Sequence, residues 1–204
     1  MKQALVKVLD YSLPVAQFGA DGPTFLMLAG AGGPEMCYGF AEQLSRLGTV
    51  LVPEHPGFGP SENPDWLKVP ADLANFYNKL LISENIQEVH LIGHSLGGWI
   101  AAEMAVRCQS NLASLTLISS AGIKVRGVPI GDNFLWPADS FESKMYFAPP
   151  GANAPARTDD NVALHLKRQA TIAQLVWKPR WHDPALQRWL PAIDVPTKII
   201  WGRN

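Results

Sequence analysis

One serine in this chain carries a glycine two residues before it and another two after, within Gly93-His94-Ser95-Leu96-Gly97-Gly98. That spacing suits a nucleophilic hydroxyl displayed on a sharp strand-to-helix turn. The turn is strained and crowded, and glycines at Gly93 and Gly97 leave room for its backbone. The apolar run Val89 to Ile92 before it reads as a strand, and Trp99 to Val106 after it reads as a helix. The chemistry implied is acyl transfer, which needs a nucleophile, a base, an acid to orient that base, and donors for an oxyanion. The first and last of these are legible. Ser95 is the candidate nucleophile, and the backbone N–H of Leu96, at a helix N-terminus, is one oxyanion donor. The second donor is the N–H of Ala31, in the loop Ala29-Gly30-Ala31-Gly32-Gly33, where Gly30 and its neighbours let backbone approach a substrate closely. A plain glycine-rich turn with Ser95 as a helix cap is the alternative. A phosphate cradle at 29–33 would call for the G-x-x-x-x-G-K-[ST] or G-x-G-x-x-G form, and the loop has neither.

The elements that position these residues follow from their periodicity. Residues 4–9 and 15–19 read as strands joined around Ser12-Leu13-Pro14, and Thr24 to Leu28 as a buried strand feeding the glycine-rich loop. An amphipathic helix follows from Tyr38 to Leu47, then a strand from Val50 to Val52. Leu73, Phe76, Tyr77, Leu80 and Leu81 mark one buried face of a helix spanning about 71–82. Leu115 to Ile118 is a further strand. Strands alternating with helices predict a mostly parallel sheet covered on both faces. From Gly122 to Leu190 the alternation stops, and Trp136, Trp177, Trp181 and Trp189, four of the seven tryptophans, fall there. The predicted organisation is a core over 1–121, an inserted cap of short helices and loops over 122–190, and a return to the core over 191–204.

Composition narrows the partners. The 204 residues are 47% hydrophobic and 17% charged with a formal net charge of -1, which gives no basic field for nucleic acid or a membrane surface. No run approaches the roughly 18 apolar residues of a membrane span. Cys37 and Cys108 have no metal-binding or disulfide spacing, so no metal or cofactor is expected, and a reducing, cytoplasmic setting fits best. The expected partner is a small-molecule substrate with an ester or similar acyl group; oligomeric state is not legible. Within the predicted cap, nine Lys or Arg stand against six Asp or Glu. Arg180 is a candidate receptor for a substrate carboxylate, with a solvated face as the alternative. His94, Trp136, Trp177 and Trp181 are the other candidate pocket residues.

Taken together, these motifs resemble the α/β-hydrolase fold of serine hydrolases. Ser95 matches the nucleophile of that family, and Ala29 to Gly33 matches its H-G-x-G oxyanion loop. Glu54-His55-Pro56-Gly57-Phe58-Gly59-Pro60-Ser61 resembles its D-x-P-G-x-G-x-S turn, and Val195 to Gly202 the strand before its catalytic acid. Ala29 stands where the family often has histidine, and Glu54 where it has aspartate. The resemblance implies an acid about one position beyond Asn204 and a base histidine further on, so the chain reads as an N-terminal portion of such an enzyme. Ser119-Ser120-Ala121-Gly122, where some relatives carry the acid, has no carboxylate. His55 and His90 read as packing residues, and His165 and His182 belong to the cap. The expected function is carboxylic-ester hydrolysis through an acyl-enzyme on Ser95. Cleavage of carbon–carbon bonds in ring-cleavage products is the alternative within the fold. A non-catalytic fragment or binding module is the alternative outside it.

Overall fold

Alternating side chains sort the core of this chain into two layers, one on each face of a single sheet. The computed structural model describes residues 1–60, 63–137, 140–145 and 159–203. Among these, the strands are β1 (Lys2–Val8), β2 (Tyr11–Phe18), β3 (Thr24–Leu28), β4 (Thr49–Pro53), β5 (Val89–His94), β6 (Leu112–Ile118) and β7 (Thr197–Ile200). The helices are α1 (Tyr38–Leu44), α2 (Pro70–Ser83), α3 (Leu96–Arg107), α4 (Phe141–Met145), α5 (Asp159–Val176) and α6 (Pro184–Trp189). The strands form one sheet in the order β1-β2-β4-β3-β5-β6-β7. The β1–β2 and β2–β4 pairs are antiparallel, and every other pair is parallel.

Strand parity explains the layers. Leu13 and Val15 of β2, Leu26 and Leu28 of β3, and Leu91 of β5 face a large core shared with α2 and α3. Ala16 and Phe18 of β2, Met27 of β3, and Ile92 of β5 face a smaller core with Cys37 and Ala41. The α2 face is the predicted one, with Leu73, Phe76, Tyr77, Leu80 and Leu81 all buried. At its start the Asp72 carboxylate accepts the backbone N–H groups of Lys68 and Val69 at 2.8 and 2.9 Å. Asp72→Ala is expected to cost about 1 kcal/mol by freeing those donors, read as a lower urea midpoint with an unchanged m-value.

Three elements depart from the sequence expectation. The β1–β2 turn sits at Leu9 and Asp10, with Leu9 at φ 55°, rather than around Ser12-Leu13-Pro14. Pro14 lies within β2 opposite Leu5, and its carbonyl accepts the Glu54 N–H at 2.9 Å. Its nitrogen faces that same side, where pairing with β4 ends at Val15 and Pro53, so the missing donor breaks no ladder. Helix α3 starts at Leu96, three residues before the predicted Trp99, and is buried almost all round from Leu96 to Ala105. The long β6–β7 connection holds an 18-residue helix, α5, where short helices and loops were expected. Its buried stripe is Arg168, Thr171, Ile172, Leu175 and Val176, and the polar members hide the helical period. No described helix is long and apolar enough to cross a membrane.

Candidate active site

Ser95 sits where β5 ends and α3 begins, at φ 53° and ψ −117°. A non-glycine residue rarely adopts that conformation, and here its neighbours hold it in place. The Ser95 N–H donates to the Ile118 carbonyl at 2.9 Å, and its carbonyl accepts from Trp99 and Ala121, both at 3.1 Å. Gly97 is required by close approach: a β-carbon there would fall 2.1 Å from the Leu28 carbonyl oxygen. At Gly93 one would fall 2.3 Å from the Gly97 carbonyl oxygen. Both glycines predicted from spacing therefore pack the turn against β3 and α3.

The same packing brings the glycine-rich loop to the serine. A β-carbon on Gly30 would stand 3.1 Å from Ser95 Cβ and 3.1 Å from His94 Nδ1. The Gly33 N–H donates to the Gly30 carbonyl at 3.1 Å, closing a tight turn with Ala31 and Gly32 at its apex. Among the described residues neither the Ala31 nor the Leu96 N–H has a hydrogen-bond acceptor. Leu96 is the first residue of α3, where the unpaired N–H groups and the helix dipole favour negative charge.

The histidines are placed differently from one another. His55 is fully buried beneath the loop, with Nε2 2.9 Å from the Ala29 carbonyl and Nδ1 2.6 Å from the Tyr77 hydroxyl. A carbonyl can only accept, so Nε2 carries the proton and Nδ1 accepts the tyrosine O–H. Burial pushes the His55 pKa down to about 4. Burial also lowers that of His94, which adjoins Ser95. His90 stacks on Phe25 with Nδ1 2.8 Å from Ser114 Oγ, and His182 Nδ1 lies 2.8 Å from the Arg180 carbonyl. His165 is exposed on α5. Among the described residues no hydrogen bond reaches the Ser95 hydroxyl from any histidine or carboxylate. Cys37 is buried, and its thiol is pushed up to about 11 by desolvation and by the Glu35 charge, which makes it a poor nucleophile.

Two of the aromatic residues of the β6–β7 connection, Trp177 and Trp181, both meet Phe134, with ring centroids 5.8 Å apart in each pair. Trp181 is buried against Phe134, their rings stacked at 5.8 Å, while Trp177 is half exposed. The Trp181 carbonyl accepts the Gly122 N–H at 3.2 Å, one residue from the Ala121 bond to Ser95. Its indole N–H is buried without an acceptor among the described residues. The Arg180 guanidinium lies 4.2 Å over the Trp177 ring and pairs with Asp132 at 2.6 Å. Asp132 thus holds one nitrogen of a guanidinium that stays partly exposed. Trp136 lies beside Gly131, with the Lys144 ammonium 5.7 Å from its ring. Ser61, the last residue of the turn that begins at Glu54, falls outside the described residues, as does Asn204.

Sequence reasoning missed Arg168. Its guanidinium, carried by α5 and buried, spans the glycine-rich loop and the loop after β4. Nη1 donates to the Gly32 carbonyl at 3.1 Å and Nε to the Phe58 carbonyl at 2.9 Å. Nη2 pairs with Glu35 at 3.0 Å and lies 3.7 Å from Glu54. Burial pushes the Glu54 carboxyl above its ordinary value, against the pull of Arg168. The available signal was its register with Thr171, Ile172 and Leu175 on one helix face.

Comparison with known proteins agrees with this architecture. A protein of Mycobacterium tuberculosis (strain ATCC 25618 / H37Rv), itself uncharacterised, is 30% identical over 135 residues, covering 60% of this chain and 40% of its own length. A pimeloyl-[acyl-carrier protein] methyl ester esterase of Aeromonas salmonicida is 31% identical over 116 residues, covering 54% of this chain and 42% of its own. The chain thus spans about two fifths of the curated relatives it matches. A solved N-acyl homoserine lactonase superposes over 100% of this chain and 78% of its own, with a TM-score of 0.76 at 16% identity, a likeness of fold. The model of the alpha/beta hydrolase family matches residues 25–202, which hold the parallel strands of the sheet and the elbow at Ser95, and the chain belongs to that family.

Proposed function

We propose that this chain carries the nucleophile and oxyanion hole of a serine hydrolase that cleaves carboxylic esters through an acyl-enzyme on Ser95. The observation that carries the reading is the strained Ser95 backbone, pressed against a loop whose Ala31 N–H, like that of Leu96, lacks an acceptor among the described residues. In this mechanism Ser95 Oγ attacks the ester carbonyl carbon as a base removes its proton. The carbonyl oxygen becomes an oxyanion held by the N–H groups of Ala31 and Leu96. Collapse of the tetrahedral intermediate expels the alcohol, which takes up the proton. Water then attacks the acyl-enzyme by the same route and releases the acid and the free serine.

Neither a base nor its acid is assigned among the described residues, where no imidazole is bonded to the Ser95 hydroxyl. Residues 122–190 are assigned to a cap over the site. The relative named as a methyl ester esterase supports an ester as the substrate class. Treating the full protein with a fluorophosphonate and mapping the adduct by mass spectrometry tests the reading. Incorporation on the peptide containing Ser95 is expected. An adduct elsewhere, or none in a protein that is folded, overturns it.

A further inference from the structure

We propose that Arg168 is a positioning residue for the oxyanion loop, so that the loop holds its working shape only with α5 seated on it. The inference rests on the serine-hydrolase reading and extends it to the insertion between β6 and β7. Each peptide group is a rigid plane with its C=O and N–H pointing opposite ways. The guanidinium Nη1–H donates to the Gly32 carbonyl at 3.1 Å. The N–H of that same peptide group, on Gly33, donates to the Gly30 carbonyl at 3.1 Å. The N–H of the Gly30 peptide group is the Ala31 N–H, the proposed oxyanion donor. A buried cation thus stands at the head of a continuous chain of dipoles that ends at the oxyanion. It orients the two planes, and it polarises each bond in the sense that strengthens the last donor.

The site is built for that cation. Gly33, at φ +95°, lets the guanidinium lie on the loop backbone, since a β-carbon there would fall 2.4 Å from Nη1. Glu35 and Glu54 offset the charge, and Nε ties the same group to the Phe58 carbonyl. Three other polar side chains of α5 reach the loop after β4. Lys167 Nζ donates to the Gly59 carbonyl at 2.6 Å, Thr171 Oγ1 to Gly57 at 2.9 Å, and Gln174 Nε2 to Leu67 at 2.6 Å. Arg168 is therefore the link from α5 to the oxyanion loop, whereas Lys167 seats the helix without touching it.

The test compares Arg168→Met, Arg168→Lys and Lys167→Met in the full protein, by p-nitrophenyl acetate kinetics and by amide hydrogen exchange at Gly33. Arg168→Met is expected to lower kcat about 30- to 100-fold, somewhat less than deletion of an oxyanion donor, with KM within about threefold. Gly33 should exchange at least about tenfold faster, as its bond to Gly30 loosens. Arg168→Lys keeps the charge but not the fork, and is expected to lose about tenfold in kcat. Lys167→Met should stay within about threefold of wild type. Wild-type kcat in Arg168→Lys, an equal loss in Lys167→Met, or a loss confined to KM would each overturn the proposal. If Arg168→Met does not fold, Arg168→Lys decides it by both readouts. A wild-type protein that neither hydrolyses the ester nor takes a fluorophosphonate at Ser95 removes the serine-hydrolase reading instead. Gly33 exchange in Arg168→Lys then still decides whether Arg168 holds the loop.

Discussion

Ser95→Ala is expected to lower kcat for p-nitrophenyl ester hydrolysis by about 10⁴- to 10⁶-fold and to abolish fluorophosphonate incorporation. The size of the loss follows from the mechanism. Without Oγ no acyl-enzyme forms, and only the oxyanion donors and substrate binding remain to favour attack by water. The same substitution is expected to leave stability within about 0.5 kcal/mol of wild type. The Ser95 hydroxyl has no hydrogen-bond partner among the described residues, and alanine carries the same β-carbon into the same φ of 53°. A large kinetic loss in a normally stable protein separates chemistry from folding. A variant whose kcat stays within tenfold of wild type would remove Ser95 from the mechanism.

The second large effect is a pH-dependent loss of stability set by His55. Its folded pKa of about 4 lies below the ordinary value of 6.5, because burial penalises the imidazolium by more than the Ala29 carbonyl favours it, and the Arg168 charge adds to the lowering. As the pH falls below 6.5 the unfolded chain takes up a proton that the folded chain refuses. Stability from this group is therefore complete above about 6.5 and declines until the folded pKa is reached. Between pH 7.5 and pH 4.5 the loss is about 2.5 kcal/mol. His55→Gln fills similar space without titrating, so urea unfolding at the two pH values should show a drop smaller by about that amount. The Glu54 carboxyl, raised by burial, contributes with the opposite sign, but it is present in both proteins and cancels in the difference. Equal drops in the two proteins would mean that His55 is not held neutral.

How much could be read from the chain alone differs from one element to the next. The elbow was legible because its constraint is local. Glycines at fixed spacing around a serine, with apolar runs on both sides, specify a backbone conformation that the structure realises at Ser95. The α2 face and the strands that share two cores were legible for a similar reason, since period and parity are properties of short segments. The β1–β2 turn was misplaced because Pro14 reads as a breaker. Its actual tolerance depends on where the pairing with β4 stops, which is a fact about another strand.

The residues that tie elements together were the least legible. Helix α5 was missed because its buried stripe contains Arg168 and Thr171, whose partners are carbonyls at Gly32, Gly57 and Phe58, more than 100 positions away. Arg180 read either as a receptor for a substrate carboxylate or as part of a solvated face, and only the fold shows Asp132 beside it. By itself the sequence determined the nucleophile turn, the oxyanion candidates and the mostly parallel sheet, all of which follow from backbone constraints within a few residues. Tertiary structure alone decided which charges are spent on the protein itself, and which of them, Arg168 foremost, reaches the loop beside Ser95. A buried polar group carries no mark of its partner in its own neighbourhood of the chain, because desolvation and hydrogen bonding are settled by whatever the fold brings to it.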